Sequence, residues 1–362
     1  MSDFDVLIVG GGIAGASLGA EIAPHRSVLI VEAEEHCGFH STGRSAAFWL
    51  ESYGGPVVAK LSTASRGFLD SPPAGFSDHG FLRTRGDLHI SRGELPELPQ
   101  GIDSRIVERE ELERMVPGIR EEWRRALFEP GCADIDVAGL HSAYLRRFRQ
   151  AGGTIRTDAA VVSARRNGQW RVELRDGSTV SAAILVNAAG AWADRVALAA
   201  GVEPLGIAPK RRTMVQLRVG LEGLRDLPLV DDSEGTFYFK GEGDRTIWLS
   251  PHDEIESEPC DAAPEEIDVA LAIDRFGKAV DWPIEAVERK WAGLRSFSPD
   301  RVPVYGFDPS AKGFFWCAGQ GGFGIQTAPA AARLAASQLL ESEPEAMVAR
   351  IDPAPFSPER FR

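Results

Sequence analysis

The chain has 362 residues, 43% hydrophobic and 26% charged, with a formal net charge of −13. Such a length can bury one large core or two smaller ones, and the composition excludes wholesale disorder and a membrane-embedded protein. The acidity, with basic clusters no longer than Lys210-Arg211-Arg212, argues against a nucleic-acid partner.

Four scattered cysteines, Cys37, Cys132, Cys260 and Cys317, contain no CxxC pair and suit a reducing, cytoplasmic setting. The uncharged run 6–20 follows Asp3 and Asp5 rather than basic residues, and Gly10, Gly11, Gly12 and Gly15 interrupt it. It is therefore read as a turn between regular elements, not as a signal peptide or transmembrane segment.

In chain order, residues 5–9 form a short apolar, β-rich run and 10–15 a turn. Residues 16–23 read as a helix stopped by Pro24, and 27–31 as a second strand ending at Glu32. This is a β-α-β unit whose strands are apolar on both faces, as a buried parallel sheet requires. Between residues 72 and 130, Pro, Gly and charged residues dominate, and only 87–91 and 110–115 read as regular elements. A helix over 137–150 leads to strands at 154–156, 161–164, 170–174 and 182–186. Strand-like stretches at 213–219 and 236–249, with a helix near 264–276, predict an antiparallel sheet flanked by helices. A strand at 313–317 runs into a Gly-rich turn and an Ala-rich helix from about residue 325 to 340. The expected fold is α/β: a Rossmann-type dinucleotide-binding domain (1–80, 137–208 and 288–362) with a second α+β substrate domain built on an antiparallel sheet (81–136 and 209–287).

The strongest local signal is Gly10-Gly11-Gly12-Ile13-Ala14-Gly15, a GxGxxG between strand and helix, with Glu32 at the end of the next strand. Gly10 permits the tight turn, Gly12 lets a pyrophosphate approach the backbone, and Gly15 lets helix and strand pack closely. The helix N-terminus attracts phosphate, and Glu32 accepts hydrogen bonds from a ribose. These features fit NAD or FAD. Two further segments favour FAD: Val186-Asn-Ala188-Ala-Gly190-Ala-Trp192, a strand ending in small residues, and Gly319-Gln-Gly321-Gly322-Phe323-Gly324-Ile325-Gln326-Thr327, a second Gly-rich turn at a helix start. A helix N-terminus there would stabilise the negative charge of a reduced flavin.

Together with His40-Ser41-Thr42-Gly43-Arg44-Ser45-Ala46-Ala47 and Trp291-Ala-Gly-Leu-Arg295-Ser296, these motifs resemble the D-amino-acid oxidase-like family of FAD-dependent oxidoreductases over nearly the whole chain. Within it, the chain resembles the bacterial D-arginine dehydrogenases. The resemblance implies non-covalent FAD, with Glu32 and Ala33 at the adenosine and the backbone of Val161 at the adenine. It also implies that Ser41, Thr42, Arg44, Ser45, Ala46 and Ala47 line the pyrophosphate and flavin. Arg212, Tyr238 and Arg295 match the substrate-carboxylate clamp, Tyr53 a loop over the pocket, and Gly322 and Gln326 the flavin-facing turn. Asp87 aligns with an acid that receives a cationic side chain. Two positions depart from the pattern: Phe48 replaces a histidine, and Asp231 replaces an apolar residue.

The expected reaction is oxidative deamination of a D-amino acid, with a basic side chain suggested by the two acids. Hydride leaves the α-carbon of a neutral amine, and the imino acid hydrolyses to a 2-oxo acid and ammonia. The alternative is oxidation of another small amine or a 2-hydroxy acid, in the manner of a glycine oxidase or a hydroxyglutarate dehydrogenase. The substrate is thus a small carboxylate-bearing amine, and a quinone or another acceptor takes the electrons. Two other readings are set aside. Gly15-Ala-Ser17-Leu-Gly19 fits the GxSxG of a serine hydrolase but puts the serine inside a helix instead of at the turn. His36, Cys37 and His40 lack a distant pair to complete a zinc site, so no metal is expected. The clamp arginines oppose a non-catalytic nucleotide-binding module.

Overall fold

The computed structural model describes residues 3–98 and 101–362. Strand Asp3–Val9 lies between Val28–Val31 and Thr179–Asn187, parallel to both, inside an eight-stranded sheet. Both faces of this strand are covered, which explains its unbroken apolar sequence. Val6 and Ile8 enter a core shared with helices Ile13–Ile22, Val137–Gln150 and Ala328–Leu340. Leu7 and Val9 enter a second core with Trp170, Val172 and helix Ala193–Ala199. Val6, Leu7 and Ile8 are fully buried, each contributing about 1.5–3 kcal/mol of transfer free energy.

The second sheet has ten strands among the described residues, and its spine is the antiparallel pair Ala208–Val219 and Ile284–Phe297. Outward from that pair run Thr246–Ser250, Tyr238–Gly241, Leu229–Asp232, Asp87–Ser91, Arg125–Glu129 and Arg105–Glu108. Its period-two pattern is strict. Leu88, Ile90, Val215, Leu217, Val230, Phe239, Ile247 and Leu249 pack against helices Arg109–Met115 and Glu266–Ala279. The alternate residues, among them Arg212, Tyr238, Asp231, His89, Asp87 and Glu129, therefore point to the opposite face, toward the nucleotide-binding unit. Cross-strand pairing keeps them in one band, since Asp231 lies opposite both Tyr238 and His89, and Asp87 opposite Glu129. A small sheet of Phe48–Trp49, Ala133–Ile135 and Leu82–Thr84 joins the two units.

Several elements depart from expectation. The pairing of Leu229–Asp232 with Asp87–Ser91 is parallel, so the second sheet is mixed. Residues 236–249 are two strands of a hairpin, Tyr238–Gly241 and Thr246–Ser250. Residues 288–297, assigned from sequence to the nucleotide-binding domain, pair within the second sheet. Strands Arg105–Glu108 and Arg125–Glu129 lie in the stretch read as irregular, and helix Gly55–Asp70 was not anticipated. That helix is disguised by Gly54 and Gly55, both at positive φ, and by weak helix formers along its length. The last long helix begins at Ala328, after turns over 322–327, rather than near residue 325.

Candidate active site

Helix Ile13–Ile22 begins one residue after Gly12, so the turn is as short as the motif demands. Gly10 has φ +104°, and a Cβ there would lie 2.4 Å from the Ala188 carbonyl oxygen. A Cβ on Gly15 would lie 2.0 Å from the Gly10 carbonyl oxygen, so strand and helix touch through glycine alone. Around Gly12 a Cβ would meet only Thr42 Oγ1, at 3.2 Å, and the opening there faces the cleft. The Thr42 hydroxyl accepts from the Ile13 N–H at 3.0 Å, filling one of the free donors of the first helical turn. Glu32 Oε2 accepts from the Gly11 N–H at 2.8 Å and Oε1 from the Glu34 N–H at 3.2 Å. These bonds fix the carboxylate at the rim, its remaining lone pairs available to a ribose.

One cleft runs from this turn to the second sheet. Of the expected cofactor residues, Gly10, Gly12, Ile13, Ala14, Glu32, Ala33, Ser41, Thr42, Arg44, Ser45, Ala46, Val161, Ala188, Gly190, Trp192, Arg295, Gly321, Gly322, Gly324 and Ile325 line it. Arg212 and Tyr238 line its far end. The cleft is thus long and narrow, glycine- and alanine-lined through its middle, with an acid at one end and two arginines at the other, which fits an extended dinucleotide carrying its reactive ring toward the arginines.

Some expected residues sit elsewhere. Gly15 and Ala47 are not among the lining residues, Gly15 because its place is the helix–strand contact. Gln326 is buried and bonds Leu50 and Ser62, tying the 48–50 segment to helix Gly55–Asp70. Phe323 packs on Val58, Phe297 and Tyr53. Arg44 lines the cleft, but its guanidinium donates to the carbonyls of Ala262 and Ala292 and pairs with Asp261, so it clamps the two units together. Ser41 acts likewise through the Leu294 carbonyl. Asp87 is fully buried and lies outside the lining, a correction to the expectation that it meets the substrate.

Ser17 is buried inside its helix and donates to the Ala14 carbonyl, remote from any turn. His40 bonds Glu34 at 2.9 Å and packs on Trp192 at the cleft wall. Sequence reasoning missed His40, Arg175, Met214, Leu294 and Gln320 among the lining residues. Met214 was legible as the i+2 neighbour of Arg212 on the same strand face, whereas Arg175 reaches the cleft from a loop with no motif of its own.

At the far end, Arg212 is 4% exposed. Its Nε donates to the Asp253 carbonyl at 2.8 Å and Nη2 reaches Glu254 at 3.4 Å, while buried Nη1 has no partner. Burial, and then the neighbouring Arg295 charge, lower the Arg212 pKa. A buried and a half-buried guanidinium group thus lie near one another, with a donor left over. Arg295 Nη1 donates to the Tyr53 hydroxyl oxygen at 3.0 Å. Gly322 permits this pair, since a Cβ there would lie 2.4 Å from Tyr53 Oη and 3.1 Å from Arg295 Nη1. The Tyr238 hydroxyl donates only to Met214 sulfur at 3.2 Å, a weak acceptor that a carboxylate would outcompete. Phe48 packs edge-on to Tyr238 and near Tyr53, with centroids 6.0 and 6.3 Å away, giving the site an apolar wall where the family pattern has a histidine.

A second group of charges lies along the same sheet face, behind Tyr238. Asp231 Oδ1 lies 2.8 Å from His89 Nδ1, and His89 Nε2 stands 3.7 Å from both Asp87 and Glu129. Burial, then the Asp231 charge, push the Asp87 carboxyl well above the usual range. Of these four, Asp231 alone has an appreciably exposed side chain, at 28%.

The matching family model, FAD dependent oxidoreductase, spans residues 5–338. Human mitochondrial dimethylglycine dehydrogenase is 25% identical over 399 residues, covering 96% of this chain and 44% of that protein. This chain thus spans less than half the length of the dimethylglycine dehydrogenases it matches. Among solved structures, glycine oxidase from Geobacillus kaustophilus superposes with a TM-score of 0.82 at 22% identity, covering 99% of this chain and 98% of the other. L-proline dehydrogenase from P. horikoshii gives 0.83 at 20% identity, with the same coverage. No helix among the described residues is long and apolar enough to cross a membrane. The glycine cradle, the acid at the second strand and the family match agree: the chain belongs to the DAO family of FAD-dependent oxidoreductases, with FAD as its cofactor.

Proposed function

We propose that the protein oxidises the carbon bearing the amine of a small amino carboxylate, with a D-amino acid as substrate. The observation that carries this reading is the pair of buried Arg212 and half-buried Arg295 at the end of the cleft, with Arg212 Nη1 lacking any partner. Two such cations at the end of the cleft stabilise an anion, and the guanidinium forks suit a carboxylate. The Tyr238 hydroxyl, turned from Met214, adds a third donor. Bound FAD accepts the hydride from the substrate carbon. The protein's share is orientation: the clamp fixes the carboxylate, and Phe48, Tyr53 and Tyr238 exclude water from the adjoining wall. Phe48 offers no proton acceptor, so the reading requires the amine to arrive neutral, its lone pair free to form the C=N bond. The imino acid is then hydrolysed in water.

A glycine oxidase-like reading fits equally well, since it uses the same clamp and a fold of the same kind. The likeness to D-arginine dehydrogenases would add a basic side chain, but Asp87 and Asp231, the acids that suggested it, both lie outside the cleft lining. The four cysteines are free, in keeping with a cytoplasmic enzyme. Anaerobic reduction of the yellow protein by glycine, N-methylglycines, D- and L-amino acids and 2-hydroxy acids tests the proposal. Bleaching by D-amino acids is expected, and bleaching by 2-hydroxy acids alone would overturn it. Admitting air then separates oxygen from a quinone or other acceptor.

A further inference from the structure

Asp87, His89, Glu129 and Asp231 meet on three adjacent strands, on the polar face of the second sheet and outside the lining of the cleft. Asp87 is fully buried, and neither of its carboxylate oxygens has a hydrogen-bond partner. His89 Nε2 and Glu129 Oε2 are likewise buried and unpartnered. Leaving so many polar atoms unsatisfied in one buried spot is costly, at about 1–3 kcal/mol for each neutral group and more for a charged one.

The geometry has a direction. His89 Nδ1 lies 2.8 Å from Asp231 Oδ1, and Nε2 faces Asp87 and Glu129. Nε2 lies 3.7 Å from an oxygen of each, too far for a hydrogen bond. Ligand atoms about 2.0–2.2 Å from a shared tetrahedral or octahedral ion stand about 3–3.6 Å apart, within reach of small side-chain shifts for atoms already gathered within 4.8 Å. Asp87, His89 and Asp231 each present an atom within 4.8 Å of the others.

We propose that Asp87, His89 and Asp231 bind a divalent metal ion, with Glu129 a further carboxylate 3.7 Å from His89 Nε2. One imidazole and two carboxylates suit Zn²⁺ or Mn²⁺. The ion neutralises the clustered acids and anchors Glu129. The other oxygen of Glu129 accepts from the Glu51 N–H at 3.1 Å and the Ser52 N–H at 3.4 Å, immediately before Tyr53. The ion thus stiffens the segment that presents Tyr53 to Arg295, a structural role that leaves the hydride step to the cleft.

The test uses the flavin-loaded protein, stripped with EDTA and titrated with Mn²⁺ alone, the free ion being read by electron paramagnetic resonance. Zn²⁺ follows as a competitor, and bound metal is counted by elemental analysis. One equivalent is expected, with a rise in Tm on binding. Asp87→Asn, His89→Gln and Asp231→Asn should each abolish binding. Flavin absorbance and circular dichroism identify variants that fail to fold. The wild-type titration decides independently of them. Absence of stoichiometric binding in wild type, or unchanged binding in a folded His89→Gln variant, would overturn the proposal.

Discussion

Arg295 and Tyr53, 242 positions apart in sequence, are joined at 3.0 Å, the guanidinium Nη1 donating to the phenol oxygen. This bond fixes the orientation of a fork whose other nitrogens are left to a ligand. Tyr53→Phe removes the acceptor and keeps the ring that packs on Phe323. A lost hydrogen bond to a charged group is worth about 1.5–3 kcal/mol, so substrate affinity should fall about 10–100-fold while the flavin content stays intact. Anaerobic substrate titration of the flavin spectrum measures this directly. Unchanged affinity would show that Arg295 is oriented without Tyr53.

Arg212 should trade stability against function. It is a buried cation beside another, with one Nη unpartnered, so the folded protein carries it at a cost. Arg212→Met keeps much of the volume and removes the charge. The Tm should rise by a few degrees, equivalent to about 1 kcal/mol, while kcat/KM falls at least about 100-fold. Differential scanning fluorimetry and steady-state kinetics on the same preparation provide both numbers. A lowered Tm would mean that the bonds of Arg212 to Asp253 and Glu254 outweigh the repulsion.

The three motif glycines should fail in two distinct ways. Gly10→Ala and Gly15→Ala place a Cβ 2.4 and 2.0 Å from carbonyl oxygens of the protein itself, so soluble expression should collapse. Gly12→Ala meets only Thr42 Oγ1 at 3.2 Å, so the chain should fold and lose flavin. The ratio of flavin to protein absorbance in purified Gly12→Ala checks this; full flavin content would move the pyrophosphate away from the turn.

His252 gives a pH signature. Burial, and then the charge of Arg212, lower its pKa from 6.5 to about 4. The unfolded chain therefore binds a proton that the folded one refuses, so the stability this neutral histidine contributes is complete above pH 6.5 and drains away as pH falls toward 4. His252→Asn keeps a donor for the Gly235 carbonyl and tolerates the positive φ of 56°. Its Tm should decline less steeply than that of wild type between pH 6.5 and 4. Parallel profiles would remove His252 from the acid response.

What the sequence revealed, and what it hid, has a physical pattern. Gly10, Gly12, Gly15 and Glu32 were readable because their roles are local: a turn, a close approach and a strand end lie within thirty residues. The strand Ile284–Phe297 was harder, since its first half is exposed and charged and its partner Ala208–Val219 lies far away in the chain. Arg44 lines the cleft, yet its guanidinium serves Asp261, Ala262 and Ala292, partners that no spacing announces. The depth of Asp87 depends on which strand lies beside it. Asp87-Leu88-His89-Ile90 carried the alternation that puts two polar groups on one face, but only the neighbouring strands supply Glu129 and Asp231.

The second sheet keeps its two faces chemically independent. Every other residue belongs to an oily interior shared with helix Glu266–Ala279, while the positions between them hold the carboxylate clamp and the acidic group. Tyr238 and Met214, on the cleft face, can therefore change which molecules are accepted while their sequence neighbours Phe239 and Val215 keep packing against the helices.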